Sequence, residues 1–260
     1  RHPDFFLLGE VYGGAAHDDY LLEYLSGDEM DACFDFGFSG SALSYFVGRM
    51  RTVAFDHWLR QRDHFPEGFV TSPYLDSHDE PGFLFRAKGR KEILRLAAAL
   101  QMTVIGIPTI YYGDEIGRIG GKWPENRSDM PWGAEQDREL FAFYQRLITA
   151  RRKHPVFGRG RHEALVIEPD AYAFLRYDPS DGAAAITALN RSAEETPLEI
   201  PLPEFLAGKS TWLDEMSGAH LSSEGGRLSL SLPPFGVAIL APVAADAMTS
   251  QRSARSAGRL

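Results

Sequence analysis

Glu10, in the phrase Gly9-Glu10-Val11-Tyr12, and Asp79, in Tyr74-Leu75-Asp76-Ser77-His78-Asp79, each stand where a short apolar run ends. Hydrolysis of a sugar acetal calls for one carboxyl group that protonates the leaving oxygen and for negative charge beside an oxocarbenium-like transition state. Two acids at two strand ends would supply that pair. Each alone has a plainer explanation, because an acid after an apolar run is commonly a helix cap or a solvated loop residue. Ser77-His78-Asp79 is not a hydrolytic triad, since consecutive residues cannot line up nucleophile, base and orienting acid. Strict alternation would put His78 and Asp79 on opposite faces of a strand, so at least one lies beyond the regular ladder.

From about residue 5 to 157, short apolar runs alternate with helical patterns, the order of repeated strand-helix units around a parallel sheet. Strands are predicted at Phe5 to Val11, Asp31 to Phe36, Phe69 to Leu75 and Ile107 to Tyr112. Ser39 is the expected N-cap of a helix carrying Leu43, Phe46, Val47 and Met50 at helical spacing. Ile93, Leu96, Ala97 and Leu100 mark another helix, and Leu140, Phe143, Tyr144 and Leu147 a further one that ends near His154, ahead of Pro155. These stripes read as core. Four such units do not close a barrel, which takes eight strands in its common form.

From residue 161 the period changes to two, in runs at Ala164 to Ile167, Tyr172 to Tyr177, Ala183 to Leu189, Pro197 to Pro201, Ser210 to Asp214 and Arg227 to Ala241. That pattern predicts an antiparallel sheet. Asp181-Gly182 and Gly225-Gly226 are hairpin signals, and Pro233-Pro234 implies an edge or a bulge. The stretch from about Ala244 to Leu260 is small, polar and arginine-dotted, and a disordered tail is expected there.

Composition narrows the partners. With 44% hydrophobic and 24% charged residues the 260-residue chain has the make-up of a soluble globular protein, and no apolar stretch approaches a membrane span. A net charge of -9 argues against nucleic acid, which is bound by concentrated basic surface, and suits a neutral substrate. The single cysteine, Cys33, sits in an apolar run and reads as a buried small side chain; the compartment stays open, with a lean to the cytoplasm. The opening Arg1-His2-Pro3-Asp4 runs straight into Phe5-Phe6-Leu7-Leu8, as a start inside a domain would.

Several lesser motifs also have structural readings. Tyr12 could stack on a sugar ring, Tyr111 and Tyr112 less so, because strand tyrosines commonly pack. Asp114-Glu115 reads as a loop-orienting or turn-capping pair, and Arg127 as a brace against a carboxylate. His17-Asp18-Asp19 has the composition but not the spacing of a metal site. Gly120-Gly121 is loop punctuation.

Taken together and in order, these segments resemble the alpha-amylase superfamily, glycoside hydrolase family 13. Gly9-Glu10-Val11-Tyr12 looks like the family's fifth-strand motif and Ser77-His78-Asp79 like its seventh. The run from Gly106 to Glu115 looks like its eighth strand with the following loop, and Asn126-Arg127-Ser128-Asp129-Met130-Pro131-Trp132 like the loop before the last barrel helix. The resemblance covers about residues 5 to 241. It implies an α/β fold, a partial (β/α)8 TIM barrel made of the last four strand-helix units over residues 1–158, followed by an antiparallel β-sandwich domain over 159–243. It implies a retaining glycosidase acting on alpha-glucans or oligosaccharides. In that reading Glu10 is the proton donor and later base, Asp79 grips the sugar hydroxyls and favours the distorted transition state, and His78 hydrogen-bonds the same ring.

The family's nucleophile, an aspartate in Gly-x-Arg-x-Asp on the fourth strand, has no counterpart among the nine residues before Glu10. The resemblance therefore implies that the missing N-terminal half of the barrel is a partner and that the chain alone is inactive. Glu80-Pro81-Gly82 follows Asp79 where many members carry an arginine a few positions on. No cofactor is implied, and calcium dependence is not legible. The rival readings are a non-catalytic carbohydrate-binding or amylase-like accessory protein and a transglycosylase that uses the same residues.

Overall fold

The computed structural model describes residues 5–12, 21–24, 29–65 and 69–243. His17-Asp18-Asp19 and the expected tail over 244–260 lie outside the described residues. Among those described, no helix is long and apolar enough to cross a membrane.

Three short parallel strands form the first sheet in the order β1 (Leu8–Gly9), β2 (Ala32–Asp35), β3 (Thr71–Pro73). All are shorter than the runs predicted for them. Among the described residues β1 pairs on one side, through Leu8↔Ala32 and Gly9↔Cys33, and Phe5, Phe6 and Leu7 before it are exposed. The expected fourth strand is not regular. Ile107 N donates to Thr71 O (2.9 Å), Thr109 N donates to Pro73 O (3.0 Å), and a single parallel bridge joins Tyr74 to Thr109. Alternate amides of an extended chain point to opposite sides, so Pro108 faces away from β3, where its missing N–H costs no ladder bond.

The helices follow the apolar stripes with two corrections to the first of them, a start set by Asp35 and an end at Phe46 that leaves Val47, 38% exposed, as C-cap and Met50 beyond the helix. Helix α1 (Phe36–Phe46) is capped by Asp35, not Ser39; the Asp35 carboxylate accepts Phe38 N at 2.8 Å and Arg62 Nη2 at 2.9 Å. The acid that closes β2 thus opens the helix four residues early. Helix α2 (Thr52–Gln61) follows, then the single turn α3 (Phe83–Arg86) and α4 (Lys91–Thr103), in which Ile93, Leu96, Ala97 and Leu100 are buried. Helix α5 (Arg138–Lys153) is capped by Asp137 and stops at His154 before Pro155, where a helical backbone would meet the proline ring. The short α6 (Val156–Arg159) leads into the second sheet.

That sheet has eight antiparallel strands: β4 (Arg161–Ile167), β5 (Ala171–Asp178), β6 (Ala183–Asn190), β7 (Thr196–Pro201), β8 (Thr211–Asp214), β9 (His220–Glu224), β10 (Arg227–Leu232) and β11 (Val237–Pro242), in the spatial order β4-β5-β6-β11-β8-β9-β10-β7. Pro233-Pro234 splits the last predicted run into β10 and β11, and β9 lies in a stretch without a predicted run. Gly182 (φ 72°), Gly225 (φ 55°) and Gly226 (φ 74°) take the left-handed conformations that the hairpin signals require. Alternation sorts β5 into two faces. Ala173 and Leu175 pack with Leu198, Ile200 and Leu228 from the far end of the same sheet, which therefore folds over on itself. Tyr172 and Phe174 point the other way and join one continuous core with the helices.

A buried polar cluster crosses that junction. The Asp56 side chain, fully buried on α2, accepts Tyr172 OH at 2.8 Å, and His162 Nε2 lies 3.1 Å from the same oxygen. Burial pushes the Asp56 carboxyl up, but the bonds from His162 and Tyr172 and the charge of Arg60 outweigh it, and the group lies below the usual carboxylate range. Burial holds His162 below the usual histidine value. Both groups take up protons more readily in the unfolded chain. Their contribution is complete at neutral pH and is lost as pH falls, first below the ordinary histidine value of about 6.5 and then below the ordinary carboxylate value of about 3.9. Asp56→Ala strands His162 and Tyr172 and is expected to cost about 1–3 kcal/mol for each partner left unsatisfied. Urea unfolding at pH 7 checks this, and a loss under about 1 kcal/mol would show that the cluster does not hold the junction.

Candidate active site

Glu10 follows the last residue of β1, and Ser77, His78 and Asp79 lie past the end of β3. Both histidine and aspartate are therefore beyond the ladder, and alternation does not separate them. Glu10, Tyr74, Asp76, His78, Asp79 and Tyr111 open on one cleft of ≈ 130 Å³. The predicted acids are thus brought together from two strands that flank β2. Glu10 is exposed, and among the described residues β1 is paired on one side. Tyr12 stands beside the cleft, 75% exposed, with its ring edge-on to Phe36 at 5.3 Å.

His78 Nε2 lies 3.3 Å from Asp79 Oδ2, and both side chains are about half exposed. Arg127 Nη2 pairs with Asp79 Oδ1 at 2.8 Å, the brace expected of that arginine, while its Nε donates to His78 O at 2.9 Å. Asn126 Nδ2 donates to His78 O (2.7 Å) and Glu80 O (3.1 Å). Tyr111 and Tyr112 use their hydroxyls structurally, on Asn126 O and Ser128 O. Arg118 bonds Tyr112 O, Asn126 O and Ser128 Oγ. The Gly82 amide donates to Gly121 O at 3.0 Å, and a Cβ on Gly82 would meet Ile119 O at 2.4 Å, so only glycine permits this loop-to-loop approach.

Beneath the cleft lies a second pair of acids that sequence reading missed. Asp76 is buried and accepts Ser77 N (3.0 Å) and Phe83 N (3.1 Å). Asp114 is buried behind it. Burial, then the Asp76 charge and the hydrogen bond Asp114 donates to it, push the Asp114 carboxyl well above the usual carboxylate range; burial also raises Asp76. Glu115 caps the adjoining turn by accepting Gly113 N at 2.9 Å. Asp76 was visible as another acid at the same strand end, but its burial and its partner 38 positions on were not. Among the described residues no group of three or more His, Cys, Asp or Glu side chains converges as a metal site would.

Asp114 keeps its proton on folding, whereas the unfolded carboxyl, with a value of about 3.9, gives it up at neutral pH. Its contribution is therefore complete below that value and is lost as pH rises toward the raised folded value. Asp114→Asn supplies the same donor to Asp76 without proton uptake. It should stabilise the chain at pH 8 on the order of 1 kcal/mol, the usual scale of one substitution, with no such gain at pH 4. Thermal melts across pH test this, and equal or lower stability at pH 8 would overturn it.

Residues 1–132 match the family model for the alpha amylase catalytic domain. Over 246 residues the chain is 35% identical to neopullulanase 2 of Thermoactinomyces vulgaris, a match spanning 92% of this chain and 40% of that protein. It is 33% identical to a cyclomaltodextrinase of Geobacillus thermopakistaniensis, again over 92% of this chain and 40% of the relative. A solved cyclomaltodextrinase superposes with a TM-score of 0.80 at 29% identity, covering 92% of this chain and 41% of that one. The chain thus spans about two fifths of the length of these curated relatives. By its sequence and its fold, this chain belongs to the alpha-amylase family.

Proposed function

We propose that this chain is the C-terminal part of a retaining glycosidase that hydrolyses alpha-glucosidic bonds in glucans or oligosaccharides. Residues 1–158 would form the last half of a (β/α)8 barrel and residues 159–243 a β-sandwich domain. The observation that carries the reading is the convergence of Glu10, His78 and Asp79, from separate parallel strands, on one cleft. Barrel enzymes build their sites in this way, from the C-terminal ends of several strands. Similarity to proteins named neopullulanase and cyclomaltodextrinase supports the substrate class.

In this mechanism Glu10 protonates the glycosidic oxygen as the bond breaks and then takes a proton from the water that releases the sugar. Asp79 accepts hydrogen bonds from hydroxyls of the distorted ring, and His78 donates to the same ring. The attacking carboxylate comes from the other half of the barrel. A covering half would also bury the open side of β1 and place Glu10 in a drier setting, where a carboxylic acid holds its proton longer. The alternative, a carbohydrate-binding accessory protein, draws support from the Asp79 carboxylate, already engaged by Arg127 and His78.

The isolated chain should release no reducing sugar from maltooligosaccharides. Joined to a nucleophile-bearing N-terminal half it should do so, and Glu10→Gln should then lower kcat about 10²–10⁴-fold. Activity of the isolated chain that Glu10→Gln abolishes would remove the need for a second half. An active joined enzyme indifferent to Glu10→Gln would remove Glu10 from the chemistry.

A further inference from the structure

We infer that Arg127, held by Asn126, is a positioning residue that sets the Asp79 carboxylate for sugar binding; this rests on the reading of the cleft given above. Asp79 needs such a device. It lies outside any ladder, its side chain is 52% exposed, and its own amide is tied only to Ser77 Oγ at 3.2 Å. A half-exposed aspartate in a loop would otherwise sample several rotamers and lose the alignment that ring recognition demands.

One guanidinium supplies the restraint. Its Nε bonds His78 O (2.9 Å) and its Nη2 bonds Asp79 Oδ1 (2.8 Å), so a rigid planar fork fixes the carboxylate relative to the backbone that precedes it. Oδ2 is left facing His78 Nε2 at 3.3 Å. Asn126, 1% exposed, gathers His78 O and Glu80 O onto one amide nitrogen and so fixes the turn on both sides of Asp79. Asn126 is itself held, its amide donating to Lys122 O and its carbonyl accepting from Tyr111 OH and Arg118 Nη1. The position of the carboxylate is therefore relayed from the segment after Thr109, across the 122–128 loop, to the end of β3.

The ion pair is no stability device, because its partners are 49% and 52% exposed and such pairs contribute little in water. Position and folding are thus separable. Maltotriose binding to the full 260-residue chain can be followed by NMR titration, with melting temperature measured alongside. Arg127→Ala is expected to weaken binding about tenfold, the scale of one charge-assisted hydrogen bond, with the melting temperature kept within a few degrees. Arg127→Lys, which keeps the charge but not the fork, should be nearly as weak, and added methylguanidinium should restore binding to Arg127→Ala alone. Unchanged affinity in Arg127→Ala, or full affinity in Arg127→Lys, would overturn the positioning role while leaving the cleft reading intact. Absence of maltotriose binding by the unaltered chain would instead overturn the cleft reading, and the positioning role with it.

Discussion

The geometry of the cleft depends on one buried ion pair, Arg62 with Asp35, both side chains 3% exposed. Asp35 is the last residue of β2, the middle strand of the parallel sheet, and its carboxylate also starts α1. Arg62, just past α2, bonds that carboxylate while its guanidinium lies 3.6 Å over the Trp58 ring. A strand end, a helix start and a second helix are thereby tied at one point. β2 separates β1, which delivers Glu10, from β3, which delivers His78 and Asp79, so its placement sets the width of the site. A buried pair of this kind adds little net stability compared with apolar packing, but losing either partner leaves a charge without compensation. Its contribution is geometric uniqueness.

The second sheet contributes at a different level. Period-two alternation sends Tyr172 and Phe174 toward the helices and Ala173 and Leu175 into the folded-over sheet, so one strand serves two cores. Because β5 is buried on both faces, its Tyr172 hydroxyl needs a partner, and Asp56 on α2 provides it. The sheet is consequently keyed to the helices by directional bonds as well as by apolar area, and α2 is held at its middle, by Asp56 toward β4 and β5, and just past its C-terminal end, by Arg62 toward β2.

Much of this was legible because it rests on local pattern. The α4 and α5 stripes, the stop before Pro155, the hairpin glycines and the acids at strand ends follow from spacing and backbone chemistry alone. What was not legible depends on partners distant in sequence. Ser39 looked like the better cap, yet Asp35 takes the role because Arg62, 27 positions on, draws its carboxylate inward. The Ile107 to Tyr112 run reads as a full strand, but it is joined to β3 by one bridge, Tyr74 to Thr109, and by the amides of Ile107 and Thr109. β9 alternates exposed and half-buried residues, too weakly apolar to register as a strand. Asp114 looks like an ordinary turn acid until the fold sets Asp76 against it. Arg127 could be assigned as a brace, but its carboxylate could not be named before Asp79 was placed beside it.

The exposure of Glu10 follows from the same sheet. Phe5, Phe6, Leu7 and Leu8 are 67%, 52%, 46% and 42% exposed, a continuous apolar run along the strand edge that carries the acid. Burying a fully exposed side chain of this size yields about 1.5–3 kcal/mol, so covering these half-exposed ones would gain about half of that each. The same contact would withdraw Glu10 from water. Asp79 has no such dependence: Arg127, Asn126 and the loop behind them all come from this chain. In the proposed reading one acid would thus be set internally and the other by a second half, so assembly would govern the proposed proton donor, Glu10, and leave Asp79 as it stands.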